Sequence, residues 1–536
     1  MKPGDRPLYV LMLSVHGLVR GESPELGRDA DTGGQVLYVV ELARALGRRP
    51  GIRKVDLVTR LIADPGVSPD YAAPEEPLGG SARIVRLPFG PRRYLRKELF
   101  WSHLDTLADR CLQFLREQGD LPDIIHSHYA DAGFVGRVLS QSLGVPQVHT
   151  GHSLGRVKRQ RLLAAGRKES ALERTFNFSR RIAAEEETLA QASLVIASTR
   201  QEISDQWVLY QNFDARRSVV IPPGTDTGRF SPWREDEDEQ AVALVEPFLR
   251  HPEKRLILTI CRPEERKNLH RLMVAYGEDR ELQEAANLAI VAGNREDVRG
   301  LDEAERTVYT DLLLDIDRYD LWGRVAIPKQ HRPEDVPRLY RLAARRRGVF
   351  INPALTEPFG LTLIEAAASG LPVVATENGG PRDILENCRN GLLVDPLDPS
   401  AIAAALRSAI SDAERWRMWA RLGLAGVRRH YSWEAHVKTY HKALRHVIRR
   451  ERKQVRRTFA IAGGAALPPV RAVEFFLVSD IDNTLLGDRA GLGVLLRWLR
   501  RNRSRVGFGV ATGRVLPRAL AVLSEWEVPV PDVLVT

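Results

Sequence analysis

Cysteine is scarce in this chain: there are three in 536 residues, Cys111, Cys261 and Cys388, far apart in sequence. That scarcity excludes a disulfide framework and any metal-spaced cysteine pair, and it fits a chain kept in a reducing cytoplasm. Long apolar runs are missing too. None approaches the roughly 20 residues of a bilayer-spanning helix, and the N-terminal MKPGDRPLYV has no apolar signal-peptide core, so a cytoplasmic protein with no membrane partner is expected. Zinc-finger spacing and the aromatic-basic pattern of an RNA-recognition module are also absent. The net charge of +10 and the pI near 9.6 therefore do not point to nucleic acid. Much of the excess sits in RLAARRRG at 341–348 and RRERKQVRR at 449–457, which read as solvated helix faces. An anionic small substrate accounts for the rest more cheaply.

What is present is an ordinary globular composition, 43% hydrophobic and 28% charged, in a chain too long for one core. Apolar strands ending in glycine or histidine turns recur. LYVLMLSVHG at 8–17 is a strand, followed by GRDADTGGQ at 27–35 and a helix-spaced VLYVVELARALG. VDLVTR at 55–60 and RIVRLPFG at 83–90 are further strands, with a Pro/Gly/acid surface loop, 64–80, between them. Cations crowd PRRYLRKELFW at 91–101, and PDIIHSHYADAG at 122–133 and PQVHTGHSLGRVKRQ at 146–160 are strand-to-helix turns rich in histidine. His126 and His149 read as satisfied structural residues. Tyr129 and His152 fall after their strands, where an open α/β sheet keeps its cleft.

The pattern restarts after an acidic stretch, SPWREDEDEQ at 231–240, read as a mobile hinge. RLILTICRPEERKN at 255–268 is a buried strand with a basic turn, and LAIVAGNRED, RVAIPKQ and GVFINPA continue the series to TEPFGLTLIEAAASGLPVVAT at 356–376. There a loop with Glu357, Phe359 and Gly360 enters a short helix holding Glu365, and a glycine and a proline stop that helix. NGGP at 378–381 is a second glycine turn opening a helix. Both turns suit phosphate, because exposed amides and the helix dipole favour an anion.

These motifs closely resemble, in content and order, the retaining glycosyltransferases of the sucrose-phosphate synthase family. The resemblance covers about residues 8 to 448. It implies two facing Rossmann-like domains of GT-B type with a cleft between them: 1–235, completed by a C-terminal helix at about 436–450, and 236–435. It also implies roles. Glu357 would lie against the transferred sugar, Glu365 would hold the nucleotide ribose, and the backbone of Phe359, Gly360 and Leu361 would face sugar and phosphate. Arg262 and Lys267 would neutralise the donor diphosphate, bordered by Gly33 and Gly34. Gln35 and Tyr129 would face the acceptor sugar, and Lys97, Lys158, Arg181 and Arg180 its phosphate. His152 would stand near the reacting carbon, donating from a neutral imidazole. The expected reaction moves glucose from UDP-glucose to fructose 6-phosphate with retention. No metal ligand set is implied; Mg²⁺ is possible but not required. Alternatives are a sucrose synthase acting on free fructose, a mannosylfructose-phosphate synthase using GDP-mannose, and a non-catalytic sugar-nucleotide sensor.

A basic linker is expected at 451–472. Beyond it, FFLVSDIDNT at 475–484 and VGFGVATGR at 506–514 resemble haloacid-dehalogenase phosphatases of the sucrose-phosphate phosphatase type. There Asp480 would be the nucleophile, Asp482 the acid/base and Thr512 a phosphate ligand. No lysine or acidic Mg²⁺ pair follows, so 473–536 reads as an incomplete phosphatase-like segment without activity. A separate sucrose-phosphate phosphatase is then a possible partner.

Overall fold

The computed structural model describes residues 6–25, 28–29, 31–232, 239–461, 473–514 and 516–536. Most of the expected acidic hinge, 233–238, and part of the expected linker, 462–472, lie outside the described residues. The chain divides into two compact units, Met1–Leu444 and Arg445–Thr536.

The first unit holds two sheets. One comprises β1 (Leu8–Leu13), β2 (Ile52–Arg60), β3 (Glu75–Gly79), β4 (Ala82–Leu87), β5 (Ile124–His128), β6 (Gln147–Thr150), β7 (Leu194–Ala197) and β8 (Ser218–Val220), ordered β3-β4-β2-β1-β5-β6-β7-β8. All neighbours are parallel except β3 and β4. The other comprises β9 (Arg255–Ile260), β10 (Ala286–Val291), β11 (Val325–Ala326), β12 (Val349–Asn352), β13 (Val373–Thr376) and β14 (Gly391–Val394), ordered β11-β10-β9-β12-β13-β14 and wholly parallel. Parallel strands covered on both faces must be apolar throughout. LYVLML of β1 meets that demand, and ANLAIV of β10 meets it except at Asn287, whose side-chain amide donates to the His251 carbonyl; every residue of both is buried.

In each sheet the order reverses beside the first strand: β1 lies between β2 and β5, and β9 between β10 and β12. Loops leaving the carboxyl ends on either side of such a point diverge and leave a crevice. The doubly wound pattern expected from the sequence is thus present twice.

Two elements differ from the expectations. The 64–80 loop contains β3, an antiparallel edge strand carrying Pro77 and burying Leu78. EEPLG has no strand signature because Pro is tolerated at an edge, where its missing N–H costs no ladder bond. The expected linker is helical at its start: one helix runs Trp433–Ile461. No glycine or proline interrupts that stretch, and Arg, Lys, Glu and Gln are good helix formers. Its first turns pack on the N-terminal sheet domain, with Tyr440 Oη 2.8 Å from His126 Nδ1 and His436 Nδ1 2.7 Å from the Pro222 carbonyl oxygen.

The second unit contains a parallel sheet of β15 (Phe475–Ser479), β16 (Val506–Ala511) and β17 (Val533–Val535). Among the described residues no helix is long and apolar enough to cross a membrane.

Candidate active site

A cleft of about 830 Å³ lies between the carboxyl ends of the two large sheets. Gly33, Gly34, Gln35, Lys97, Tyr129, His152 and Lys158 line it from one domain. Arg262, Lys267, Glu357, Phe359, Gly360, Leu361 and Glu365 line it from the other.

On the second domain's wall, the loop after β12 meets the one-turn helix Glu265–Lys267 that follows β9. Lys267 Nζ donates to Glu357 Oε2 at 2.6 Å, and Asn352 Nδ2 donates to the same oxygen at 3.1 Å. Both members of the ion pair are mostly withdrawn from solvent, so removing one leaves a poorly solvated charge on the other. Arg262 differs: it is 75% exposed, 2.9 Å from Glu264, and stands at the rim. Gly360, with φ at +103°, turns the chain into the helix Leu361–Ala368 and aims its N-terminus at the cleft. Glu365 is half-buried and accepts from Tyr340 Oη at 3.2 Å; burial pushes its carboxyl up to about 7.

The NGGP turn was expected to be a second phosphate cradle, and it is not among the residues lining this cleft. Gly379 pairs with Glu357 as a parallel bridge, and a Cβ on Gly379 or Gly380 would overlap the carbonyl oxygens of Glu357 and Phe359. These glycines allow the close approach that holds the Glu357 loop.

The first domain's wall is built on β1, β5 and β6. Gly33 caps the helix Gly34–Gly47, and a Cβ at Gly33 or Gly34 would meet nothing within 4 Å, so the backbone there is open to close approach from the cleft. Lys97 bonds the buried Asp31 carboxylate through both Nζ and its backbone amide. The lysine holds Asp31 below the usual carboxylate range, against the upward push of its burial. Lys158 lies 4.1 Å from the centre of the Phe176 ring; burial, then Lys97 and Arg181, push its amine down.

Arg180 and Arg181 are not among the lining residues. On the helix Phe178–Gln191, Arg181 turns inward to Glu185 one turn on, at 3.0 Å. It also donates to the Ser153 carbonyl at 2.6 Å and stacks 4.4 Å from the Tyr129 ring centre. It therefore supports two lining residues from behind. Its neighbour Arg180 is exposed and donates to the Trp101 carbonyl at 3.0 Å. Adjacent residues on a helix point about 100° apart, so the two guanidinium groups leave it in different directions.

Tyr129 and His152 both hold positive φ, +79° and +56°, a strained backbone that concentrates at functional turns. His152 Nε2 meets His128 Nδ1 at 3.0 Å. His152 is exposed as a residue at the cleft, yet its ring is set among protein atoms, and that desolvation, with His149 and His16 nearby, pushes it down to about 3, so it is neutral at physiological pH. His126 and His149 are buried and partnered, by Thr150 and Tyr440 and by Ser127, as the structural reading expected. Lining residues not anticipated include His16, 2.7 Å from Asp131 and edge-on to Tyr129, and Tyr38 and Trp433, whose rings pack 5.8 Å apart. The glycine after His16 was a usable signal; nothing local marks Trp433, 395 positions from Tyr38 in sequence by subtraction.

In the second unit, Arg514 joins the motif residues. Its guanidinium bonds Asp482 at 2.6 and 2.9 Å, and its amide donates to Thr512 Oγ1 at 3.3 Å. The bonds to Arg514 hold Asp482 below the usual carboxylate range, which opposes work as an acid. Asp480 accepts from the Ile481 amide at 2.7 Å.

Comparison with known proteins agrees with this arrangement. Residues 33–224 match the glycosyl transferase 4-like domain, 244–423 the glycosyl transferases group 1, and 473–536 the sucrose-6F-phosphate phosphohydrolase family. With its two doubly wound sheets facing one cleft, the chain carries the two domains of a GT-B glycosyltransferase. Its homologues include sucrose-phosphate synthases. It is 45% identical to the Zea mays sucrose-phosphate synthase over 502 residues, 81% of this chain and 47% of that protein. To the Spinacia oleracea sucrose-phosphate synthase it is 43% identical over 499 residues, again 81% of this chain and 47% of that one. The chain thus spans about half the length of the curated relatives it matches. Among solved structures, the sucrose-phosphate synthase of Thermosynechococcus elongatus aligns with a TM-score of 0.59 and 27% identity, covering 85% of this chain and all of that one.

Proposed function

We propose that this chain transfers glucose from UDP-glucose to fructose 6-phosphate, with retention at the anomeric carbon, giving sucrose 6-phosphate and UDP. The observation that carries this is the placing of cations on both walls of one cleft: Lys97 and Lys158 on one side, Lys267 and Arg262 on the other. Two phosphorylated ligands brought face to face need paired charge on both sides, because a phosphate leaving water must be compensated.

In this scheme UDP-glucose lies on the second domain, its ribose hydroxyls donating to Glu365 and its diphosphate facing Lys267, Arg262 and the amides of Gly33 and Gly34. The helix beginning at Leu361 adds its positive end. As the sugar–phosphate bond breaks, charge grows on the diphosphate, and cations fixed beforehand stabilise the transition state more than the ground state. These side chains take the place of a divalent ion, and chelating agents are expected to leave the rate within about twofold. Glu357 lies against the transferred glucose. The departing phosphate oxygen takes the acceptor hydroxyl's proton, since His152 is neutral and too weak a base to hold one. The enzyme works in the cytoplasm, and its product passes to a separate phosphatase.

The deciding experiment offers a panel of radiolabelled nucleotide sugars with fructose or fructose 6-phosphate. Label from UDP-glucose should enter sucrose 6-phosphate. Equal use of free fructose, preference for GDP-mannose, or no transfer with any pair would overturn the assignment.

A further inference from the structure

Beneath the cleft lies a knot of neutral histidines. His128, fully buried at the end of β5, places Nδ1 3.0 Å from Nε2 of His152. Its own Nε2 is buried and has no hydrogen-bond partner among the described residues. The ring is enclosed by His126, 3.9 Å away between centres, and by the edge of Tyr38 at 5.9 Å.

Both histidines are neutral: full burial pushes His128 down, and desolvation of the His152 ring, on a residue otherwise open to the cleft, pushes it to about 3. One hydrogen therefore occupies the contact, and it comes from one ring or the other. If His152 donated from Nε2, His128 would carry its hydrogen on the partnerless Nε2, orphaning a buried N–H. Orphaned buried N–H groups are rarer than under-used acceptors. If His128 donates from Nδ1, its Nε2 is only an idle lone pair. His152 then accepts at Nε2 and carries its hydrogen on Nδ1. Nothing among the described residues bonds that nitrogen, and His152 lines the cleft.

We propose that His128 is a positioning residue: by donating Nδ1–H to Nε2 of His152, it sets the tautomer in which His152 offers Nδ1–H to an oxygen of the sugar in the cleft. The orientation of the pair follows from the fold alone. Its consequence for catalysis rests on the transfer reading above. With the other tautomer, His152 would present a lone pair and could only accept from a sugar hydroxyl. An ether or ring oxygen would then meet lone pair against lone pair.

The test is a long-range ¹H–¹⁵N correlation spectrum of the full chain labelled with ¹⁵N-histidine, with His152 identified by its loss in His152→Gln. The expected spectrum shows protonated Nδ1 and bare Nε2 at His152, unchanged from pH 6 to 8. Protonated Nε2 overturns the proposal without any variant being needed. His128→Asp replaces the donor by an acceptor at the same place. It should reverse the His152 tautomer, raise the pH at which His152 titrates, and lower kcat at least tenfold with KM for the acceptor little changed. His128→Asn can donate again and should restore the tautomer and most of kcat. A His152 tautomer indifferent to Asp in a variant that retains the wild-type near-ultraviolet circular dichroism also overturns it. If the tautomer is as expected but no nucleotide sugar is used, the transfer reading alone fails.

Discussion

Gly379 and Glu357 are fastened to each other. They form a parallel bridge, the Glu357 amide donates to the Asn378 carbonyl at 3.0 Å, and the Gly380 amide donates to the Glu357 carbonyl at 3.0 Å. Gly379 has φ at +116° and no room for a Cβ. Gly379→Ala combines backbone strain with a steric clash and should cost about 1–3 kcal/mol. Because the displaced loop carries Glu357, kcat should fall more than thermal stability implies. A melting curve and a turnover assay on the same preparation check this; wild-type kcat with a lowered melting temperature would contradict it.

Lys267 is placed to act on growing charge. Lys267→Ala should lower kcat by about 100-fold or more, in the range found for losing one preorganised electrostatic group. The unpaired Glu357 carboxylate adds to the damage. Lys267→Ala with Glu357→Gln should therefore be less than additive. A double-mutant cycle on kcat/KM measures the coupling, and strict additivity would show that the 2.6 Å pair has no part in the reaction.

Lys97 is expected to affect one substrate only. Lys97→Ala should raise KM for fructose 6-phosphate by about 100-fold, in keeping with the loss of a buried charge partner. UDP-glucose binding should stay unchanged, since the contacts assigned to that ligand, on the other wall and at Gly33 and Gly34, do not include Lys97. Asp31→Asn, which frees Lys97 from its competitor, should lower the same KM. Isothermal titration with each substrate separates the effects.

Donor affinity should depend on pH through Glu365. Ribose hydroxyls donate to a carboxylate, not to a protonated carboxyl, so binding requires the ionised form. With the group pushed up to about 7, UDP-glucose should bind about tenfold more tightly at pH 8 than at pH 6. UDP-glucose is the right probe because its own diphosphate does not titrate in that interval. Glu365→Gln should bind more weakly and without pH dependence.

Acid should unfold the N-terminal domain through its buried histidines. His149 and His436 are pushed down to about 4 by burial. Below about pH 6.5 the unfolded chain protonates them and the folded chain does not, so the unfolded state binds more protons and stability falls as pH falls. The loss begins near 6.5 and continues to about 4, where the folded state protonates too. Each such histidine contributes about 1.4 kcal/mol per pH unit across that window. Denaturant titrations at stepped pH should show the slope, and His436→Gln should reduce it by about one proton.

The sequence by itself determined the class of this protein. Apolar strands with carboxyl-end glycine and histidine turns are local signals, since burial on both faces forces their composition and a tight turn restricts its residues. TEPFGLTLIEAAASG, the TGGQ turn and the basic turn after β9 were legible for that reason, and so was their convergence on one cleft, because two doubly wound sheets place such turns at their carboxyl ends. What the tertiary structure decided is which of these groups are already engaged. Lys97 is tied to Asp31, 66 positions away, Lys267 to Glu357 over 90 positions, and His128 to His152 over 24. Arg181 is turned behind the wall and NGG serves the Glu357 loop. Charge pairing, tautomer and close backbone approach depend on distances between residues remote along the chain, and no local pattern of residues encodes those distances.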